Sequence, residues 1–244
     1  MPVPASAFRA ADLKGSRARR ERAEIILSDL TAEDLPAYVE GQWLAFGPAV
    51  YDILEPPSIR PPHALRLANA VARNSILLSS SAVRLRKASL PDGTLVGVAF
   101  WYIPGHPEWR NPQTRDGSEE AVKGTGLWEG IDGKEWDAFY GNRGGVDRKR
   151  AMGDELIGEL GASFSAYLAP LWVLPSYHGR GVASALMREA VAWADESSPP
   201  RRMYLESTPT GRAVYAQFGF QLQEEMEGGV MIRPARVVEG EVKA

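Results

Sequence analysis

One stretch constrains the fold more than any other: Leu171-Trp-Val-Leu-Pro-Ser-Tyr-His-Gly-Arg-Gly-Val-Ala-Ser-Ala-Leu-Met187. A short apolar run ends at Pro175, three polar or aromatic residues follow, and Gly179-Arg-Gly181 opens an amphipathic helical pattern. A strand that stops at a glycine turn and feeds a helix leaves several backbone N–H groups unpaired at the helix start. Those groups and the helix dipole together suit a phosphate or pyrophosphate. The segment therefore predicts a strand–loop–helix unit that holds a phosphorylated cofactor.

The kind of glycine loop narrows the choice. A Walker loop, Gly-x-x-x-x-Gly-Lys-Ser/Thr, occurs nowhere in the chain. A dinucleotide fingerprint needs a third glycine and an acidic residue about 20 residues on. Here Ser184 stands at the third position, and Asp195 and Glu196 are still on the same helix. The residues Val173-Leu-Pro175 followed by His178-Gly179-Arg180-Gly181-Val182-Ala183 resemble the acetyl-CoA motif of the Gcn5-related N-acetyltransferase (GNAT) superfamily, Gln/Arg-x-x-Gly-x-Gly/Ala after a Val-x-Pro strand end. His178 departs from the usual Gln or Arg. A second resemblance lies downstream, where a strand at Met203–Ser207 and a short helix over 209–217 lead to Tyr215-Ala-Gln-Phe-Gly219-Phe220, the Tyr-x-x-x-Gly-Phe signature of the same family.

The rest of the chain is read from its periodicity. Glu24–Ser28 is a first strand, and Asp29 or Thr31 caps a helix that runs to about Phe46 with Leu35, Val39, Trp43 and Phe46 on one face. Gly47 and Pro48 are expected to end it, and the four prolines of 50–62 to make a loop. A second helix is expected from Pro62 to Asn74, then a hairpin of Ala82–Leu90 and Thr94–Ile103 around Pro91-Asp-Gly93. Residues 104–147 are rich in Gly, Pro and charge but carry three Trp, one Phe and one Tyr. Disordered tracts are poor in aromatics, so this is read as an ordered insertion, either walling an acceptor site or anchored as a surface loop. A helix over 148–160 and a strand from about Phe164 to Val173 complete the path.

That order matches what the resemblance implies: an α/β (α+β) GNAT fold, with a mixed, mostly antiparallel central sheet flanked by helices and a splayed, bulged strand at the cofactor site. Pro170 fits, since proline cannot donate to a ladder and marks either a bulge or an edge strand. The expected organisation is a flexible basic arm over 1–22, one acetyltransferase domain over 23–234 with the 104–147 insertion, and a tail over 235–244. The arm carries six Lys/Arg, mostly in Arg17-Ala-Arg-Arg-Glu-Arg22, and reads as a disordered arm or a transit peptide.

Composition removes other classes. A net charge of −3 gives no footprint for nucleic acid. There are no cysteines for thiol catalysis. The three histidines lack metal-ligand spacing, so no metal is expected. No apolar run approaches the length of a membrane span, and a cytoplasmic protein, monomeric or a homodimer, is expected.

The resemblance also implies roles. Backbone groups of Leu171, Trp172 and Val173 would pair with the pantetheine arm of acetyl-CoA, and one N–H would polarise the thioester carbonyl. His178, Gly179, Arg180, Gly181, Val182, Ala183 and Ser184 would form the pyrophosphate loop. Arg180 would either reach a phosphate or remain solvated. Tyr215 takes the general-acid position, or is a core aromatic with a bonded hydroxyl. Glu206 would be a base acting through water, hold a substrate ammonium, or pair with Arg201 or Arg212. Thr208 stands near where relatives place a CoA-contacting Asn. The aromatics Trp43, Trp101, Tyr102, Trp109, Tyr167 and Trp172 would surround the acceptor. The expected activity is acetyl transfer from acetyl-CoA to a small-molecule primary amine. The alternatives are a peptide or protein N-terminus or lysine as acceptor, or a non-catalytic acyl-CoA-binding module.

Overall fold

The computed structural model describes residues 21–103, 126–137, 139, 165–224 and 229–237. Along them run β1 (Ile26–Asp29), α1 (Leu35–Phe46), α2 (Pro48–Leu54), α3 (His63–Ser75), β2 (Val83–Ser89), β3 (Leu95–Tyr102), α4 (Gly133–Asp137), β4 (Ser165–Val173), α5 (Val182–Glu196), β5 (Arg202–Glu206), α6 (Arg212–Ala216), β6 (Gln221–Leu222) and β7 (Val230–Arg233). The strands form one seven-stranded sheet in the order β1-β2-β3-β4-β5-β7-β6. Only β4 and β5 pair in parallel; the other neighbours are antiparallel. This is the mixed, mostly antiparallel sheet expected.

Both faces of the sheet are covered, which is why all eight residues of β3 are apolar or glycine and buried. On one face Val98, Phe100 and Tyr102 pack with Leu35, Tyr38 and Val39 of α1 and Ala70 of α3. On the other, Ala99 and Trp101 pack with Val182, Leu186, Met187, Ala190 and Ala194 of α5. α1 starts where Thr31 and Asp34 form a capping box, with the Thr31 N–H donating to Asp34 Oδ2 at 2.7 Å. No helix among the described residues is long and apolar enough to cross a membrane.

Residues 48–54 correct the expected loop, because they form α2. Gly47, at φ 66°, ends α1 and also N-caps the next helix, with Pro48 just inside it. Proline at the first helical position lacks an N–H that would be unpaired anyway, so Pro48 begins a helix there. The helix expected over 148–160 and most of the 104–147 insertion lie outside the described residues.

The strand that precedes the glycine loop is irregular where Pro170 sits. Across β3 and β4, Ala99 pairs with Leu171 and Trp101 with Leu168, so two residues on one strand span three on the other. The extra residue falls at Ala169–Pro170 and flips the side-chain phase. Tyr167 and Trp172, five apart, consequently join the same core. β4 lies between β3 and β5 in the sheet, and the register shift against β3 falls at Pro170, which makes it a bulge residue.

Candidate functional site

The bulge opens the sheet. β4 pairs with β5 only from Ser165 to Leu168, opposite Arg202 to Leu205. Beyond it, residues 169–173 remain bonded to β3 but have left β5, so the two strands splay at their C-terminal ends. The ladder shows which groups face the gap. The Leu174 N–H donates to the Val96 carbonyl at 2.9 Å. In an antiparallel ladder this sense alternates, so Trp172 also bonds to β3, and the N–H and C=O of Leu171 and Val173 point into the gap. Of the three candidate residues, Trp172 turns its backbone to β3 and buries its side chain in the core on the α1 side. Its ring lies so close to α1 that a Cβ on Gly41 would stand 2.3 Å from it.

At the mouth of the gap the chain tightens into the loop. Pro175–Tyr177 form a turn of 3-10 helix, and the Tyr177, His178 and Arg180 N–H groups donate back to Leu174, Pro175 and Tyr177. Gly179 and Gly181 have φ of 77° and 92°, left-handed values that glycine adopts without penalty. Gly181 N-caps α5 without a side-chain cap, and its carbonyl accepts from Ala185 at 2.9 Å. The N–H groups of Val182, Ala183 and Ser184 therefore belong to an uncapped first turn. A Cβ on Gly181 would meet nothing within 4 Å, so this turn faces open space. His178 folds back, its Nε2 lying 2.9 Å from the Val173 carbonyl that faces the gap. The Arg180 guanidinium lies 5.3 Å from the Tyr177 ring centre, and its Nε has no hydrogen bond among the described residues.

Tyr215 and Glu206 reach the same end of the sheet from opposite faces. Tyr215 stands on α6 and packs into the α5-side core, its ring 6.2 Å from Phe220. Burial pushes its phenol up to about 12, so it stays protonated through neutral pH. Glu206 ends β5, two residues after Tyr204, and alternation places it on the α1–α3 face. Thr208 is used in the turn into α6, where its Oγ1 accepts the Gly211 N–H at 3.2 Å. Asp195 is also committed: it binds Arg233 through two 2.8 Å bonds while Arg233 Nε donates to the Phe218 carbonyl, fixing the turn at Gly219.

The α1–α3 face is aromatic. Tyr167 stacks on Tyr204 at 4.6 Å, Tyr102 lies 6.2 Å from Tyr167, and Tyr38 stacks on Phe100 at 4.7 Å. Trp101 does not join them, because it points to the α5 face; Trp109 lies outside the described residues. Farther out, residues 126–137 of the insertion dock on α2 and α3. Trp136 packs with Val50 and Leu54, with Trp128 alongside. A cavity of about 50 Å³ lies between this segment and α1, lined by Tyr38, Trp43, Arg73 and Trp128 among others.

Sequence reasoning missed what holds that docking together. Glu55, only 3% exposed, bonds Arg66 and sits 3.7 Å from Arg73. Arg66 stacks on Trp43 at 3.6 Å, and Arg73 donates to the Leu127 carbonyl. The available signal was the spacing of Arg66 and Arg73, seven residues apart on one helix face.

Comparison with known proteins agrees with this geometry. The model of the acetyltransferase (GNAT) family matches residues 135–220. No curated protein matches the chain. Among solved structures, a Corynebacterium glutamicum protein described as histone acetyltransferase HPA2 and related acetyltransferase superposes with a TM-score of 0.51 at 19% identity, covering 88% of this chain and 98% of that one. The ribosomal-protein-S18-alanine N-acetyltransferase of Escherichia coli gives a TM-score of 0.46 at 12% identity, over 91% and 100% of the two chains. A GCN5-related N-acetyltransferase from Kribbella flavida gives 0.45 at 16%, over 86% and 97%. Residues 135–220 thus match the acetyltransferase (GNAT) family model, and the sheet that contains them has the GNAT fold.

Proposed function

We propose that this chain is an acetyl-CoA-dependent N-acetyltransferase that moves the acetyl group directly to a primary amine of a small molecule, in a ternary complex. The observation that carries the reading is the gap between β4 and β5, opened at Ala169–Pro170 with the uncapped start of α5 at its mouth. Leu171 and Val173 offer backbone donors and acceptors to a pantetheine arm laid in that gap, and a donor to the thioester oxygen. The N–H groups of Gly179 and of Gly181 to Ser184 would bind the pyrophosphate, with the Arg180 side chain adding a cation.

The residues then divide the work of transfer. The neutral amine nitrogen attacks the thioester carbon, the C–N bond forms and the C–S bond breaks. The proton lost by nitrogen passes through water to Glu206. The departing sulfur receives a hydrogen bond from Tyr215. A phenol held near 12 is a weaker acid than an ordinary thiol near 8.5, so Tyr215 acts mainly by stabilising developing negative charge. Glu206 and the Tyr167–Tyr204 stack share the α1–α3 face, which supports an amine that is cationic in solution and partly apolar.

Calorimetric titration with acetyl-CoA, with NADH and ATP as controls, tests the cofactor. Micromolar binding of acetyl-CoA alone is the expected result, followed by an amine screen read as released thiol. A folded sample that ignores acetyl-CoA would overturn the reading.

A further inference from the structure

Two residues of the glycine loop spend their backbone N–H groups inside it. His178 donates to the Pro175 carbonyl at 3.2 Å and Arg180 to the Tyr177 carbonyl at 3.3 Å. Arg180 still has a guanidinium to offer a phosphate. What His178 has left is its imidazole, and that turns the other way, back to the strand. Its Nε2 lies 2.9 Å from the Val173 carbonyl. A carbonyl only accepts, so Nε2 carries the proton in this contact.

The position of that carbonyl gives the contact its meaning. Val173 is the last residue of β4, and its backbone faces the gap. A ladder neighbour fixes the carbonyls of a paired strand, but β5 has already ended its pairing at Leu168. Here a side chain takes the neighbour's place. Pro175–Tyr177 lead the chain out of the strand, and His178, exposed and extended at φ −60° and ψ 137°, folds its ring back across that turn. A carbonyl oxygen has two lone pairs, so one stays open to a second donor from the gap.

The departure from the motif then has a simple sense. Gln and Arg, the usual residues at this position, and His all carry an N–H on a nitrogen at the ε position, equally many bonds from Cα. His178 changes the frame that carries the donor and keeps the donor.

We propose that His178 is a positioning residue of the cofactor site: its imidazole N–H, acting through the Val173 carbonyl, aims the last acceptor of β4 at an amide of the pantetheine arm. The pyrophosphate is left to the amides of Gly179 and of Gly181 to Ser184. The inference rests on the cofactor reading above.

The test is calorimetric, on the full chain, with acetyl-CoA and with the nucleotide half of the cofactor, adenosine 3′-phosphate 5′-diphosphate, which has the pyrophosphate but no pantetheine. His178→Met keeps the reach of the side chain and removes the donor. It should weaken acetyl-CoA about fivefold, the scale of one hydrogen bond, and leave the nucleotide half within about twofold. His178→Gln returns an N–H at the ε position and should restore acetyl-CoA to within about twofold of the original affinity. An equal loss for both ligands in H178M would make His178 part of the pyrophosphate loop and overturn the proposal. Unchanged acetyl-CoA affinity in H178M, or a Gln variant as weak as the Met one, would overturn it too. If the unmodified chain bound acetyl-CoA but not the nucleotide half, the division of roles would fall and the cofactor reading would stand. If it ignored acetyl-CoA, that reading would fall and this inference with it.

Discussion

The two ends of the proposed reaction are built from different materials. At the cofactor end the working groups are backbone: gap-facing amides of β4, left-handed glycines, and an uncapped helix start, all within residues 171–184. At the acceptor end they are side chains gathered from far apart. Beside it, Glu55, Arg66 and Arg73 hold a segment more than fifty residues downstream against α2 and α3. A backbone site tolerates substitution wherever φ and space permit. A side-chain site depends on each partner, and a buried ion pair fails when one member is removed.

That contrast sets the experiments. Gly181→Glu should abolish cofactor binding, because it puts a negative side chain in the space the first turn of α5 faces. Calorimetry reads this directly, and the left-handed φ should cost about 1–2 kcal/mol of stability besides. Glu55→Ala should do the reverse: about 3–5 kcal/mol of stability lost in a denaturant titration, from stranding two buried guanidiniums, with acetyl-CoA affinity unchanged. Equal damage to both properties would erase the distinction between the two ends. Tyr215→Phe sharpens it further, lowering kcat by about a hundredfold while the cofactor Kd holds. The smallest effect tests where the ends touch. Gly41→Ala drives a methyl into the Trp172 ring, costing about 1–3 kcal/mol in stability. Because Trp172 lies between the two gap-facing residues, the variant should also weaken acetyl-CoA severalfold.

What could be read from the sequence follows the same division. Gly179 and Gly181 announced the loop, and Pro170 narrowed its place to a bulge or an edge strand, because glycine and proline report backbone geometry at their own positions. The Tyr215–Phe220 signature placed α6 in the same local way. Glu55 was invisible, since its partners lie 11 and 18 residues on and the segment it stabilises lies beyond residue 125. α2 was missed because Pro48 reads as a stop after a glycine, although it serves equally as a start. Trp101 was placed with the acceptor aromatics, but strand alternation turns it to the opposite face.

The parallel contact between β4 and β5 is only four residue pairs long. It is a short hem joining two flaps, four strands on one side and three on the other. A cofactor lying in the gap would continue that hem by hydrogen bonding where β5 stops, and so would act as a splint as well as a reactant. On that view the free protein is the less finished piece of architecture, and each turnover completes the sheet and then unpicks it.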